Sequence, residues 1–166
     1  MNIRGNTFNE IDLRITSWMA RNGLFLLRLS VGIIFVWFGV LKFFDGLSPA
    51  ESLATRTIEI LTFGVFNEKT ILIGLAIWET AIGIGLILKV FLRETLLLMY
   101  IQMLGTLSPI FIFPEEVFQV IPYSLTLEGQ YIIKNLVVIS AGIVIGATVR
   151  GGGIIFDKFN INNREP

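Results

Sequence analysis

Four stretches of the chain are almost wholly apolar, at residues 24–44, 71–88, 95–113 and 131–149. At about 1.5 Å per helical residue, each reaches across a hydrocarbon core of about 30 Å, with some tilt. The segments between them mix polar and apolar residues. Before the first run, Phe8, Ile11, Ile15, Trp18 and Met19 recur at helical spacing, while Glu10, Asp12, Arg14, Ser17 and Arg21 fill the other face. The tetrad Thr7-Phe8-Asn9-Glu10 has the form of a capping box. The pattern predicts an all-α membrane protein, a four-transmembrane-helix bundle over 23–149. An N-terminal amphipathic segment (1–22) precedes it, as an interfacial helix anchored by Trp18 or as a solvated extension of the first span. A flexible tail (150–166) follows.

Smaller signals refine this outline. Ser48-Pro49-Ala50-Glu51 predicts a second helix start, with Pro49 at the first helical position and the helix running to about Leu61. Leu53, Thr57 and Leu61 would share one side, and this amphipathic helix in the first outer loop would cap the bundle mouth. Pro109 predicts a kink or an early end to the third span. Gly83-x-Gly85 and Gly142-x-x-x-Gly146 mark close helix contacts. Residues 114–128 form a loop with Glu115, Glu116 and Glu128 but no base, and Gly151-Gly152-Gly153 breaks the chain after the fourth span.

Composition agrees. The 166 residues are 54% hydrophobic and only 16% charged, where soluble domains are nearer about 25% charged. The chain has no cysteine and no histidine. Disulfide, thiol-exchange and iron–sulfur chemistry are therefore excluded, and the commonest haem and zinc ligand is missing, so no haem or zinc is expected. A redox role would need a non-covalent cofactor such as a quinone. Net charge is zero, which gives no reason to expect a nucleic-acid partner.

Charges inside the spans carry most of the functional signal. Glu79 is the sole formal charge of the second run and sits near its centre, while Arg28 and Lys42 lie in the first span and Lys134 in the fourth. A charge at mid-bilayer costs about 2.5–3.5 kcal/mol on insertion scales, so it faces a bundle interior and a partner. Counting places Glu79 level with Phe35–Phe38, and Arg28, Lys42 and Lys134 are each within reach of an extended side chain. Lys42, Lys134 and Arg28 can alternatively snorkel to the interfaces, and Glu79 can alternatively be a structural ion pair. Gln102, Ser108, Asn135 and Ser140 add hydrogen-bonding groups, and Trp37 and Trp78 are candidates to flank a ring or simply to pack.

Orientation follows from lysine and arginine. Arg4, Arg14, Arg21, Lys89, Arg93, Arg150, Lys158 and Arg164 fall on one side, against Lys42, Arg56 and Lys69 on the other. Both termini are expected to be cytoplasmic.

One resemblance emerges from these residues. Leu27-Arg28-Leu29-Ser30 followed by Phe35-Val36-Trp37-Phe38-Gly39-Val40-Leu41-Lys42-Phe43 resembles the first span of the DoxX-like superfamily, closest to its YkgB-like branch. Trp78-Glu79 with Gly83 resembles the second span, Ser108-Pro109 with Pro114-Glu115 the end of the third, and Glu128-Gly129-Gln130 with Lys134-Asn135 the start of the fourth. Asn135 stands where the family usually has aspartate, which leaves Glu79 or Glu128 to pair with Lys134. The resemblance implies a four-helix bundle in the bacterial inner membrane. It also implies a link to reactive-chlorine resistance or quinone-linked oxidoreductase complexes.

The expected function is a buried charged site built from Arg28, Trp37, Lys42, Trp78, Glu79, Gln102, Glu128, Lys134 and Asn135. The site would bind a quinone or similar lipid for respiratory electron transfer or oxidative-stress defence. Arg28 or Lys134 would hold a ring carbonyl, Glu79 would carry the proton, and the two tryptophans would flank the ring. The alternative is a non-catalytic subunit, scaffold or assembly factor with a membrane-protein partner or a second copy. Solute passage ranks lowest, because no inverted repeat of broken helices is visible. No reaction is assigned. Because the chain lacks cysteine, its topology is directly testable. A membrane-impermeant maleimide should label Glu115→Cys in intact cells and leave Lys89→Cys unlabelled until the cells are opened; the reverse pattern would invert the orientation.

Overall fold

The structure, a computed structural model, describes residues 3–44, 46–48 and 50–152, with side chains from residue 9 onward. The predicted positions of Pro49 and of the tail beyond 152 lie outside the described residues. The elements run α1 (Ile3–Leu41), α2 (Glu51–Leu61), α3 (Glu68–Leu88), α4 (Leu92–Leu107), α5 (Pro109–Ile112), α6 (Pro114–Val117), β1 (Phe118–Val120), β2 (Ser124–Leu125) and α7 (Leu127–Gly146). Among the described residues, four helices are long and apolar enough to cross a membrane: 9–41, 68–88, 92–112 and 127–146. The chain is a predominantly helical membrane protein. Four crossings put the start of α1 and the end of α7 at one end of the bundle, and α2 with the α5–β2 connection at the other, the capped end.

The first helix departs from expectation. It is continuous from Ile3 to Leu41, so Thr7 lies inside a helix rather than at its start, and no separate interfacial helix is set off from the span. No proline interrupts this stretch, and Asn22, at its most breakable point, donates its side-chain amide to the Trp18 carbonyl at 2.9 Å. At about 1.5 Å per residue, a helix this long overreaches a 30 Å core by several turns.

The other ends are set locally. Asn67 caps α3, accepting from the Thr70 amide at 2.9 Å, and Thr126 caps α7, accepting from the Gly129 amide at 3.0 Å. Pro109 has no amide hydrogen to continue the ladder, and α4 ends at Leu107 as that residue predicts. The predicted outer helix begins at Glu51 and ends at Leu61, with Leu53, Thr55 and Thr57 buried but Leu61 exposed. The loop at 114–128 is more ordered than its composition suggests. It holds α6 and a two-stranded antiparallel hairpin pairing Phe118 with Leu125, an addition to the all-α outline.

An extended seam joins α1 and α3 backbone to backbone. A Cβ on Gly83 would lie 2.6 Å from the Val36 amide and 2.7 Å from the Gly32 carbonyl, and one on Gly39 would lie 2.7 Å from the Thr80 amide. Gly85 faces Thr95 of α4, and Gly142 faces Met99 and Tyr100 of that helix. Small residues that let helix backbones touch are the usual means of packing helices in lipid, where apolar burial drives little association. Apolar side chains gather in two clusters. The larger includes Val31, Phe35, Ile82, Leu86, Met99, Met103 and Ile145 of all four spans. The smaller joins Leu53, Val117 and Ile132 at the capped end.

Gly83→Leu should force α1 and α3 apart at an overpacking cost of about 1–3 kcal/mol or more. Gly74→Leu, on the same helix with nothing within 4 Å of the added atom, should be tolerated. Thermal unfolding in detergent checks this, with a lowered Tm expected for the first variant alone.

Candidate functional site

The two apolar clusters do not merge, and a cavity of about 250 Å³ lies between them. Phe35 and Met103 wall it from the larger cluster, and Leu53 and Ile132 from the smaller. Helices α1, α3, α4 and α7 surround it, and α2 lies across its capped end, where Ala54, Thr57 and Ile58 line it. Arg56 fastens α2 from outside: its guanidinium is 2.7 Å from a Glu116 carboxylate oxygen and 4.5 Å from the Phe113 ring centre. That pair is half-exposed, and surface pairs of this kind contribute about 0–1 kcal/mol, so Leu53 packing matters more to the cap.

The charged wall of the cavity is built from three helices. Glu79 is 9% exposed. One of its carboxylate oxygens lies 2.7 Å from Lys42 Nζ, and the other accepts from Gln102 Nε2 at 2.8 Å. Lys42 also donates to the Phe38 carbonyl at 3.4 Å. The glycine contact explains how so short an acid reaches its partner. Gly39 brings α1 against α3 beside Glu79, and Lys42, three residues on, stands on nearly the same face of α1. Glu79 is therefore level with Gly39–Lys42, about one turn from the depth that counting predicted. Both oxygens of a desolvated carboxylate are thus satisfied, one by a charge and one by an amide, which is the condition under which a buried ion pair is tolerated.

Five of the nine residues expected at the site line this cavity: Lys42, Glu79, Gln102, Glu128 and Asn135. The other four are elsewhere. Arg28 does not approach Glu79; its guanidinium donates to the carbonyls of Leu86 and, at 3.1 Å, Ile87. There it satisfies the last turn of α3, whose carbonyls lack helical partners. Trp37 is 66% exposed and faces outward. Trp78 reaches around the outside to donate its indole N–H to the Leu98 carbonyl at 3.2 Å, tying α3 to α4. Neither tryptophan lines the cavity, so neither can flank a ring bound there. Lys134 is exposed and lies over the Tyr131 ring, 5.5 Å from its centre. Each tryptophan is one or two residues from a cavity residue, which on a helix is a turn of about 100–200° to another face.

Sequence reasoning missed most of the apolar lining. Phe35, Phe38 and Ile34 of α1 and Val138 of α7 line the cavity with the polar groups. Ile34, Phe38 and Tyr131 of this lining are themselves exposed, so the cavity is open rather than sealed beside α1 and α7. Spacing from Lys42 (i−4, i−7, i−8) would have picked out the three α1 residues. Among the described residues, no group of three or more acidic, histidine or cysteine side chains has the arrangement of a metal site. Compared with protein families, curated proteins and solved structures, the chain finds no match in any of the three.

Removing one member of the ion pair strands the other. Glu79→Leu alone should cost about 3–5 kcal/mol, and Lys42→Met a similar amount. The double variant should be markedly more stable than the sum of the two, with a coupling of about 1–3 kcal/mol. Additive losses in a double-mutant cycle would show that the pair is not formed.

Proposed function

We propose that this membrane protein binds a small lipophilic ligand in the cavity beside Glu79, a quinone or similar redox lipid. In this reading it serves respiratory electron transfer or oxidant defence in a bacterial inner membrane, with both termini cytoplasmic. The observation that carries the proposal is a mostly apolar cavity of about 250 Å³ with the Lys42–Glu79–Gln102 network in its wall. Ligand sites are typically apolar pockets with a few convergent polar groups, roughly 300–1,000 Å³ in volume. This one falls just below that range, a size suited to a single ring. The exposed margin formed by Ile34, Phe38 and Tyr131 gives a hydrocarbon tail a path into lipid. The resemblance of the spans to the DoxX-like superfamily points the same way.

The chemistry follows from the wall. Glu79 and Lys42 share a hydrogen bond and so form a proton-holding unit within the cavity, and a ring oxygen brought beside them would find both a donor and a base. Asn135, from the facing helix, can donate to a second ring oxygen. The roles first assigned to Arg28, Lys134, Trp37 and Trp78 are dropped, because none of them lines the cavity.

A second reading rests on a separate observation. The half of α1 before the bundle exposes Ile11, Ile15, Trp18 and Met19 along one face, an apolar surface that suits a subunit or assembly factor of a larger membrane complex. Organic extraction of the purified protein distinguishes the two readings. The quinone reading expects about one equivalent of quinone per chain, falling several-fold in Glu79→Gln. Quinone-free protein that co-purifies with a fixed partner would support the second.

A further inference from the structure

The cavity holds more acid than base. Lys42 balances Glu79, but Glu128, which lines the same space from the first turn of α7, has no ion pair and no hydrogen bond among the described residues. The positive end of the α7 dipole makes that position tolerable for an unpartnered carboxylate. The lining thus carries two carboxyl groups against one amine.

The hydrogen-bonding inventory leans the same way. Thr57 donates to the Leu53 carbonyl at 2.6 Å, and Thr106 to the Gln102 carbonyl at 2.9 Å. Lys42 and Gln102 donate to Glu79. These four donors are engaged within the protein, while the Asn135 amide and the Tyr131 hydroxyl, which also line the cavity, have no hydrogen bond among the described residues. Glu128, in contrast, offers a carboxylate that can only accept. An occupant that fits must present a hydrogen to it. An occupant that presents only oxygen lone pairs at that position is repelled.

We propose that the cavity selects the reduced, hydroxyl-bearing form of its quinone over the oxidised form, with Glu128 accepting from a quinol O–H. This rests on the quinone reading above and specifies it. A quinone ring oxygen is a pure acceptor, whereas the corresponding quinol oxygen carries a hydrogen. A neutral O–H donating to a carboxylate is among the stronger hydrogen bonds, and making it in place of a lone-pair clash changes affinity by about tenfold or more. Lys42 and Asn135 can donate to a ring oxygen of either form, so the discrimination comes from the Glu128 side of the cavity.

The test is equilibrium binding of decylubiquinol and decylubiquinone to the full-length protein in detergent under anaerobic conditions. The quinol is expected to bind about tenfold tighter. Glu128→Gln, whose amide can donate as well as accept, is expected to narrow the ratio to within about threefold. Equal affinities in the wild-type protein, or a tighter quinone, overturn this inference while leaving the quinone reading intact. So does a tenfold preference that persists in Glu128→Gln. Saturable binding of neither form overturns both. The wild-type ratio needs no variant, so it can overturn the inference even if Glu128→Gln fails to fold, and Glu128→Ala then serves as the second variant.

Discussion

The contact between Lys42 and Glu79 is the constraint around which the rest of the bundle is arranged. An acid at the middle of a membrane helix is costly unless a cation is held against it and the remaining lone pairs are bonded. Here the cation comes from α1 and the amide from α4, so α1, α3 and α4 are fixed relative to one another at that depth. Such a pair is weak evidence for added stability, since well-packed apolar residues often hold a bundle as well. What it adds is a polar locus with defined geometry inside an otherwise apolar protein.

The pair is possible only because two glycines remove the bulk between its helices. Gly39 and Gly83 bring the backbones of α1 and α3 into contact at Glu79–Thr80 and one turn further along α3, and that approach sets lysine and carboxylate at hydrogen-bonding distance. Below the pair the spans close on a continuous apolar cluster. Above it, α2 and the hairpin region close a second. The cavity is the gap between them, so packing, charge and binding space are consequences of one arrangement. The gap stays open where Ile34 and Phe38 of α1 and Tyr131 of α7 are exposed.

Much of this was legible in the sequence, and the parts that were not share a physical cause. The four spans could be read because a membrane demands about twenty apolar residues per helix. Pro109, Gly83 and Glu79 could be read because each violates what an uninterrupted lipid-facing helix would contain. Lys42, Gln102, Glu128 and Asn135 were named as candidates. Which base answers Glu79 was not decided by counting, because the relative depth of two helices depends on how closely they pack, and that depends on Gly39 meeting Thr80. Arg28 was misplaced for a related reason: the end of α3 supplies carbonyls that satisfy it locally. The tryptophans were open as ring-flanking or packing residues, and neither lines the cavity because each stands on a different face of its helix from its neighbours Phe38 and Glu79. The unbroken run of α1 and the ordered hairpin after α6 depend on local bonds, such as Asn22 to Trp18 and the Thr126 hydroxyl to the Glu116 carbonyl, that composition alone does not rank.

The most direct measurement of the central claim is zero-length coupling with a lipid-soluble carbodiimide, followed by peptide mass spectrometry. Such a reagent joins an amine and a carboxylate only where they already touch. The account predicts a covalent Lys42–Glu79 linkage as the principal internal cross-link of the spans. Coupling of Glu79 to Lys134 instead, or a Glu79 adduct with Lys42 left free to react with an amine reagent, would contradict it.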